Sequence, residues 1–412
     1  MPWLRSTIKT NTGRAVIFGG ILVAIIVAVG YFLIPSFLLQ TYSSGSVNQA
    51  LKILATSTPF VVTHVATPVP VKGIYMTSCV VGSKSLREGL KKIANETDVN
   101  SIVIDIKDFS GKISFETDNP KLKGAISERC LARDMKEFVG ELHQAGIYVI
   151  GRITVFQDPY YTAIRPDLAI KKSSDHEAVW KDFKGLSFIE AGAKDFWSYI
   201  AELSVESYKI GFDELNYDYI RFPSDGNMKD IYYPFSEETV KADPELGMAK
   251  VLKSFFAFLS GEVRSKTKAK ISADLFGMTT TNPDDLNIGQ LLEYTLPYFD
   301  YVSPMVYPSH YPKDFNGWLD PNKHPYGVVK YSMDKAVVRV KLFNDTVAST
   351  SVDVLRPWLQ DFNYGGTYGV PEVQAQMSAT YDSGLDSWLL WSPSNRYTIK
   401  ALGPIASTTP KD

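Results

Sequence analysis

Two short runs hold the residues best suited to chemistry. The first is FDELNYDYIRF at 212–222, in which Glu214, Asn216 and Asp218 share one parity and Leu215, Tyr217 and Tyr219 the other. The second is AKISADLFG at 269–277, where Ser272, Asp274 and Phe276 share a face. Successive side chains of a strand point to opposite faces. If the apolar set of the first run faces helices, Asp218 emerges at the strand end with Asn216 one layer below, and Asp274 lies near the top of its own strand. Adjacent strands are about 4.8 Å apart, so the two carboxylates could flank one bond. A pair of carboxylates is the minimum apparatus for cleaving a glycosidic bond: one protonates the leaving oxygen, the other attacks the sugar or activates water. A separation of roughly 5–5.5 Å would retain configuration and roughly 6.5–9.5 Å would invert it. The same aspartates could instead cap the loops that follow their strands, or pair with Arg152 and Arg221.

Other strand-like runs add polar groups at corresponding positions. Asp105 and Lys107 share a face of SIVIDIKD (101–108), which ends in Asp108; Arg152 and Thr154 share a face of IYVIGRITVF (147–156). FDYVSPMVYP (299–308) offers Met305 and Tyr307, and VLRPWLQDF (354–362) offers Arg356, Trp358, Gln360 and Asp361. DSWLLWSP (386–393) ends with Trp391 and Ser392, with Asn395 just beyond. Sugars present C–H faces that stack on rings and hydroxyls that need paired donors and acceptors. A rim of Tyr307, Tyr311, Trp358 and Trp391 with Arg152, Asn216 and Gln360 suits that ligand.

The elements that must position these groups follow from periodicity. With VKGIYMT (71–77) the strand-like runs number eight, and helical stripes fall between them. Leu131, Met135, Phe138, Val139 and Leu142 form one stripe, closed by Gly146; Leu252, Phe255, Phe256 and Leu259 form another; Val373 and Met377 begin a third, closed by Gly384. Alternating strands and helices predict an α/β fold, a (β/α)8 TIM barrel over residues 71–400, with an open doubly wound sheet as the alternative. The longest interval, 157–211, follows a strand and is expected to shape a substrate cleft.

Composition removes several function classes. The 412-residue chain carries 43 Lys and Arg against 45 Asp and Glu, which gives no overall basic field for nucleic acid. Its 5 histidines include no HExxH, and GxGxxG, GxxxxGK[ST] and GxSxG are absent. No metal or organic cofactor is implied. Aromatic residues make up 13% of the chain, with 23 Tyr and 7 Trp. The two cysteines, Cys79 and Cys130, fall toward the same predicted barrel end, where they could pair or stay as two small unpaired residues.

Residues 15–34 (AVIFGGILVAIIVAVGYFLI) are uncharged and apolar character continues to Leu39, enough for a helix about 30 Å long. Arg5, Lys9 and Arg14 precede this run and no basic residue follows until Lys52. The expected organisation is a cytoplasmic segment 1–14, an uncleaved single-pass membrane anchor 15–39, an extracytoplasmic linker 40–70, the barrel, and a flexible tail 401–412. A cleaved signal peptide is the rival for the apolar run, which is long for one and lacks an A-x-A site.

Over nearly all of 71–400 the chain resembles a family of bacterial glycoside hydrolase domains, TIM barrels distantly related to the α-amylase superfamily. The carriers are GIYMT (73–77), VIDIKDFSG (103–111), RITVFQDP (152–159), RPDLA from Arg165, GFDELNYDYIRFPSDG (211–226), SADLFG (272–277), VSPMVYPSHYP (302–312), LRPWLQDF (355–362) and LLWSPSNRY (389–397). The resemblance implies that Asp218 takes the nucleophile position and Asp274 the acid/base position, with Asp where amylases carry Glu. Asn216 stands where amylases carry Arg, and Asp361 is the candidate for a third carboxylate. Where related barrels carry Trp-x-x-Pro, this chain reads FIEA at 188–191. The expected protein is a membrane-anchored extracytoplasmic glycoside hydrolase acting on a cell-envelope or exported polysaccharide, with Asp218 and Asp274 catalytic. Asp105, Lys107, Arg152, Asn216, Arg221, Tyr307, Tyr311, Trp358, Gln360, Asp361 and Trp391 are its expected substrate contacts. The alternative is a non-catalytic carbohydrate-binding barrel of the envelope. A hydrolase of another bond lacks its zinc-ligand spacing or nucleophilic Ser or Cys constellation.

Overall fold

The computed structural model describes residues 61–346 and 351–403. The expected membrane anchor at 15–39 lies outside them; among the described residues no helix is long and apolar enough to cross a membrane.

All eight strand-like runs become strands, each shorter than its apolar run. They are β1 (Lys72–Met76), β2 (Ser101–Lys107), β3 (Tyr148–Thr154), β4 (Glu214–Asp218), β5 (Lys270–Phe276), β6 (Tyr301–Met305), β7 (Trp358–Gln360) and β8 (Trp388–Trp391). They pair in sequence order, all in parallel, and β8 closes on β1. The doubly wound alternative is thereby excluded. The principal crossover helices are α1 (Lys84–Glu96), α2 (Met135–Gln144), α3 (Lys194–Lys209), α4 (Gly247–Lys266), α5 (Leu292–Thr295), α6 (Pro325–Thr346) and α7 (Val370–Asp382).

The strand parity read from sequence sets the layering. Leu215 and Tyr217 of β4 point outward into the main core, where the Tyr217 hydroxyl meets Ser204 of α3 at 2.8 Å. Leu252, Phe255, Phe256 and Leu259 of α4 are buried in the same layer. Each such side chain contributes roughly 1.5–3 kcal/mol when fully buried. Gly146 and Gly384 follow α2 and α7 with φ of +74° and +78°, the left-handed conformation that ends a helix without a Cβ clash.

Inside the barrel a second cluster is largely aromatic: Tyr75, Tyr148, Tyr307 and Trp358 pack with Val71, Val103, Ile150 and Leu389. Below it Arg356 and Glu214 form a buried ion pair with both side chains at 0% exposure. Ser272 Oγ (2.6 Å) and Tyr148 Oη (3.1 Å) also donate to the Glu214 carboxylate.

Two chain-end expectations change. Residues from Thr63 onward, placed in the linker, are fastened to the barrel: Val65 N donates to Asp213 at 2.8 Å, and His64 stacks on Tyr208 with ring centres 4.1 Å apart. Ala401 and Leu402, placed in the flexible tail, are buried, and the Leu402 carbonyl accepts from Asp98 N at 3.1 Å. Both segments carry apolar residues that complete the core. Cys79, in the short helix Ser78–Val81 after β1, is disulfide-bonded to Cys130, so the pairing alternative holds.

Candidate active site

At the C-terminal ends of the strands a single guanidinium gathers three carboxylates. Arg152 on β3 donates through Nη1 to Asp105 Oδ1 at 2.6 Å and through Nη2 to Asp218 Oδ2 at 2.5 Å. Its Nε lies 3.9 Å from Asp274 Oδ2. Register explains the gathering. Asp105, Arg152, Asn216 and Ser272 stand opposite one another across β2 to β5, and Tyr217 pairs with Ala273. The next position along β4 and β5 brings Asp218 beside Asp274.

The charges do not balance. Three buried carboxylates gathered on one guanidinium favour a retained proton, because desolvation penalises each additional charge. Burial, then the neighbouring Asp218 charge, raises Asp274 to about 8. Its Oδ1 already accepts from Trp358 Nε1 and Asn216 Nδ2, each at 2.8 Å, so the proton belongs on Oδ2. Burial raises Asp105 to about 6, against the lowering effect of Arg152 and of the hydrogen bond donated by Tyr75 Oη. Asp218 is aimed by a strained neighbour: Tyr219 has φ +52°, uncommon for a bulky residue, and its N–H donates to Asp218 Oδ1 at 2.5 Å.

These groups open into a cleft of about 590 Å³, within the size range of small-molecule sites. Aromatic rings form much of its wall. Tyr75 stacks on Trp391 with ring centres 3.9 Å apart, and Trp358 meets Trp391 edge-on at 5.5 Å. Gly277 permits a close approach on the other wall: a Cβ there would lie 2.5 Å from the Tyr311 hydroxyl and from the Met305 carbonyl oxygen.

A family model described as "Putative glycosyl hydrolase domain" matches residues 73–397. The chain belongs to this family. Among solved structures it is similar to the PgaB (BpsB) glycoside hydrolase domain from Bordetella bronchiseptica, at 14% identity over 82% of this chain and 100% of that one, with a TM-score of 0.55. It is also similar to alpha-L-fucosidase isoenzyme 2 from Paenibacillus thiaminolyticus, at 12% identity over 81% of this chain and 48% of that one, with a TM-score of 0.56. A third is the beta-galactosidase from the psychrophilic Marinomonas ef1, at 10% identity over 81% of this chain and 56% of that one, TM-score 0.52. At these identities the likeness establishes the shared barrel fold. No curated protein matches the chain significantly.

In this glycosyl hydrolase domain most of the residues singled out from sequence meet in one place. Asp105, Arg152, Asp218, Asp274, Arg221, Tyr307, Tyr311, Trp358 and Trp391 line the cleft. Asn216 stands just behind it and holds Asp274. Three others are directed elsewhere. Lys107 was expected on the face of Asp105, but the β2–β3 register shifts between the two residues. The shift turns Lys107 into the protein, where its ammonium pairs with Asp158 at 2.9 Å with both side chains at 0% exposure. Gln360 accepts from Ser309 Oγ at 2.8 Å and donates to the Phe362 carbonyl at 2.9 Å, tying the loop after β6 to β7. Asp361 accepts from Thr398 N at 2.8 Å and Thr398 Oγ1 at 2.6 Å, which anchors the segment after β8. The third carboxylate beside Asp218 and Asp274 is therefore Asp105 on β2, not Asp361 after β7.

The long β3–β4 interval contributes Gln157, Asp182, Lys184, Leu186 and Phe188 to the cleft. Its FIEA stretch is a lock: the Glu190 carboxylate accepts from Ser236 Oγ and from Phe235 N, and burial raises it to about 7. Tyr75, Gln157 and His310 also line the cleft and were not singled out. Tyr75 had a readable signal, an inward parity in GIYMT; Gln157 and His310 sit on loops, where no periodicity fixes direction.

Proposed function

We propose that the protein is a membrane-anchored, extracytoplasmic glycoside hydrolase acting on a cell-envelope or exported polysaccharide. The observation that carries the reading is the cluster of buried carboxylates around Arg152, in which burial and the neighbouring Asp218 charge raise Asp274 to about 8 while Asp218 is ion-paired to the guanidinium. Asp274 is then the general acid, and Asp218, ion-paired to Arg152, is the nucleophile or, in an inverting reaction, the base.

In the retaining form the bond from the anomeric carbon to the leaving oxygen breaks while the Asp274 Oδ2 proton moves to that oxygen. Asp218 forms an ester to the anomeric carbon. Asp274, now ionised, takes a proton from water, whose oxygen displaces Asp218. In the inverting form Asp218 takes the proton from the attacking water directly. Arg152 holds Asp218 in place and disperses charge as it builds. Asp105, steadied by Tyr75, occupies the other guanidinium nitrogen and fixes the Arg152 orientation. The Tyr75–Trp391 stack offers a ring surface to sugar C–H groups. Asn216 leaves this strand-four position without a cation, and Arg152, its partner in register on β3, stands beside it with one.

The uncharged run 15–34 behind Arg5, Lys9 and Arg14 supports the anchor, and the Cys79–Cys130 disulfide suits an oxidising compartment. The test is turnover on a broad polysaccharide panel by wild type and Asp218→Asn. Hydrolysis lost in the variant with oligosaccharide binding retained is the expected result. Binding by wild type with no hydrolysis across the panel would leave a carbohydrate-binding barrel instead. Carbonate extraction of membranes and protease shaving of intact cells test the anchor and its orientation; a protein released by carbonate, or protected from shaving, contradicts it.

A further inference from the structure

Four arginines of the described residues lie at or below 9% exposure, and three of them are matched by carboxylates. Arg87 pairs with Asp134, Arg152 with Asp105 and Asp218, and Arg356 with Glu214. Arg221 is the exception. It is 9% exposed, has no ion pair, and donates from Nη1 to the Phe222 carbonyl at 3.1 Å. Its guanidinium carbon lies over the rings of Tyr219 and Phe276, 4.8 Å from each centroid. All three residues line the cleft that holds Asp218 and Asp274. The carboxylates around it, Asp218, Asp225 and Asp182, attract it without forming an ion pair: Asp218 is paired with Arg152 instead, and Asp182 spends Oδ1 on the N–H groups of Lys184 and Leu186, at 2.9 and 2.8 Å. Burial accordingly pulls the Arg221 pKa down.

A buried cation with no carboxylate paired to it is costly, and leaving one at a ligand cleft makes sense where the ligand supplies the paired charge. We infer that Arg221 is the specificity residue of this cleft and reads a carboxylate carried by the substrate, so that the sugar bound beside Asp218 and Asp274 is acidic. The rings of Tyr219 and Phe276 pack against the guanidinium, and with Nη1 given to the Phe222 carbonyl its Nε and Nη2 donors remain for the ligand. That geometry matches a planar carboxylate, which accepts two parallel hydrogen bonds, and it is one that Lys cannot reproduce. Arg152 cannot take this part, because its Nη atoms are already given to Asp105 and Asp218. Lys184, at the rim of the same cleft, adds a second positive charge toward which an anion is steered. Without such cations an acidic sugar would meet only the repulsion of the carboxylates.

The inference rests on the glycan reading of the cleft, and the test separates the two. Binding is measured by calorimetry on the full-length chain carrying Asp218→Asn, so that no ligand is consumed. The probes are oligouronates of several linkages, their carboxyl-reduced counterparts, and sulfated neutral oligosaccharides. At least tenfold tighter binding of an oligouronate than of its reduced form is expected, with the difference abolished by adding Arg221→Gln and only partly kept by Arg221→Lys. Thermal melting of each variant checks that the fold survives, and Arg221→Lys keeps the test valid if Arg221→Gln does not fold. Equal affinity for acidic and reduced forms, a preference that survives Arg221→Gln, tighter binding of sulfated than of uronate sugars, or no uronate binding at all overturns the inference. Hydrolysis of neutral glycans by wild type, undiminished in Arg221→Gln, would overturn it while leaving the hydrolase reading intact. Arg221-dependent uronate binding without turnover by wild type would do the reverse.

Discussion

Arg152 and Arg356 occupy the same barrel interior on comparable inward positions, yet their surroundings differ. Arg356 meets one carboxylate, Glu214, whose remaining lone pairs are taken by Ser272 and Tyr148. The charges cancel and nothing is exposed. Arg152 meets Asp105 and Asp218 directly and Asp274 at 3.9 Å, at the mouth of a cleft. A balanced pair stores no proton that a reaction could use. Burial beside a second carboxylate raises Asp274 while Asp218 is held on the guanidinium, which sets the two carboxyls apart as the proposed acid–base cleavage requires. The position of charge imbalance, more than the number of charges, separates the scaffold from the site.

The largest effects should come from breaking the unbalanced end. Asp274→Asn removes the proton donor and is expected to lower kcat by about 10²–10⁴, with KM for the same glycan little changed; steady-state kinetics on the cleaved substrate measures it. Asp218→Asn should lose at least as much, since it also removes the charge that faces the anomeric carbon. At the balanced end the damage is to folding instead. Arg356→Met leaves Glu214 buried without its partner and should cost about 3–5 kcal/mol in denaturant-unfolding free energy.

Acid–base behaviour sharpens the contrast. Asp274 titrates at about 8 in the folded protein and near the ordinary aspartate value of about 3.9 when unfolded. Between those values the folded state binds the extra proton, so its contribution to stability is present at low pH and is lost as pH rises toward about 8. Unfolding free energies across this window should fall with pH in wild type and fall less steeply in Asp274→Asn, which cannot titrate; Asp105 and Glu190, also raised, keep some slope in both. The same group should set the alkaline limb of the activity profile, with activity falling as Asp274 deprotonates near 8. Trp358→Phe is the mildest change. It keeps the ring but deletes the Nε1–H donated to Asp274 Oδ1, which helps hold that pKa down, so the alkaline limb of kcat/KM should move upward.

Much of this was legible in the sequence. Short β-rich runs between helical stripes located every strand of the barrel, and parity put Asp218 and Asp274 together because register neighbours on parallel strands face the same way. What escaped depended on departures from regularity. The register shift after Asp105 turns Lys107 away from the cleft, and alternation cannot foresee a bulge. Asp361 follows β7 at a site-like position, but its lone pairs are consumed by Thr398, some way along the chain. The strand-four position where the resemblance leads one to expect Arg holds Asn216, and Arg152 stands opposite it on β3. A motif read along one strand cannot show which side chain its neighbour places opposite. The aromatic surplus divides similarly: Tyr75, Tyr219, Phe276, Trp358 and Trp391 face the cleft, while Trp180, Trp388, Phe255 and Phe256 fill the core.

The most direct test of the central claim is a carbon-13 NMR titration of the aspartate carboxyl groups, with the Asp274 resonance assigned by its absence in Asp274→Asn. The charge imbalance around Arg152 predicts a midpoint near 8 that falls when Asp218→Asn removes the neighbouring charge. A midpoint at or below the ordinary aspartate value of about 3.9, unmoved by Asp218→Asn, would contradict it.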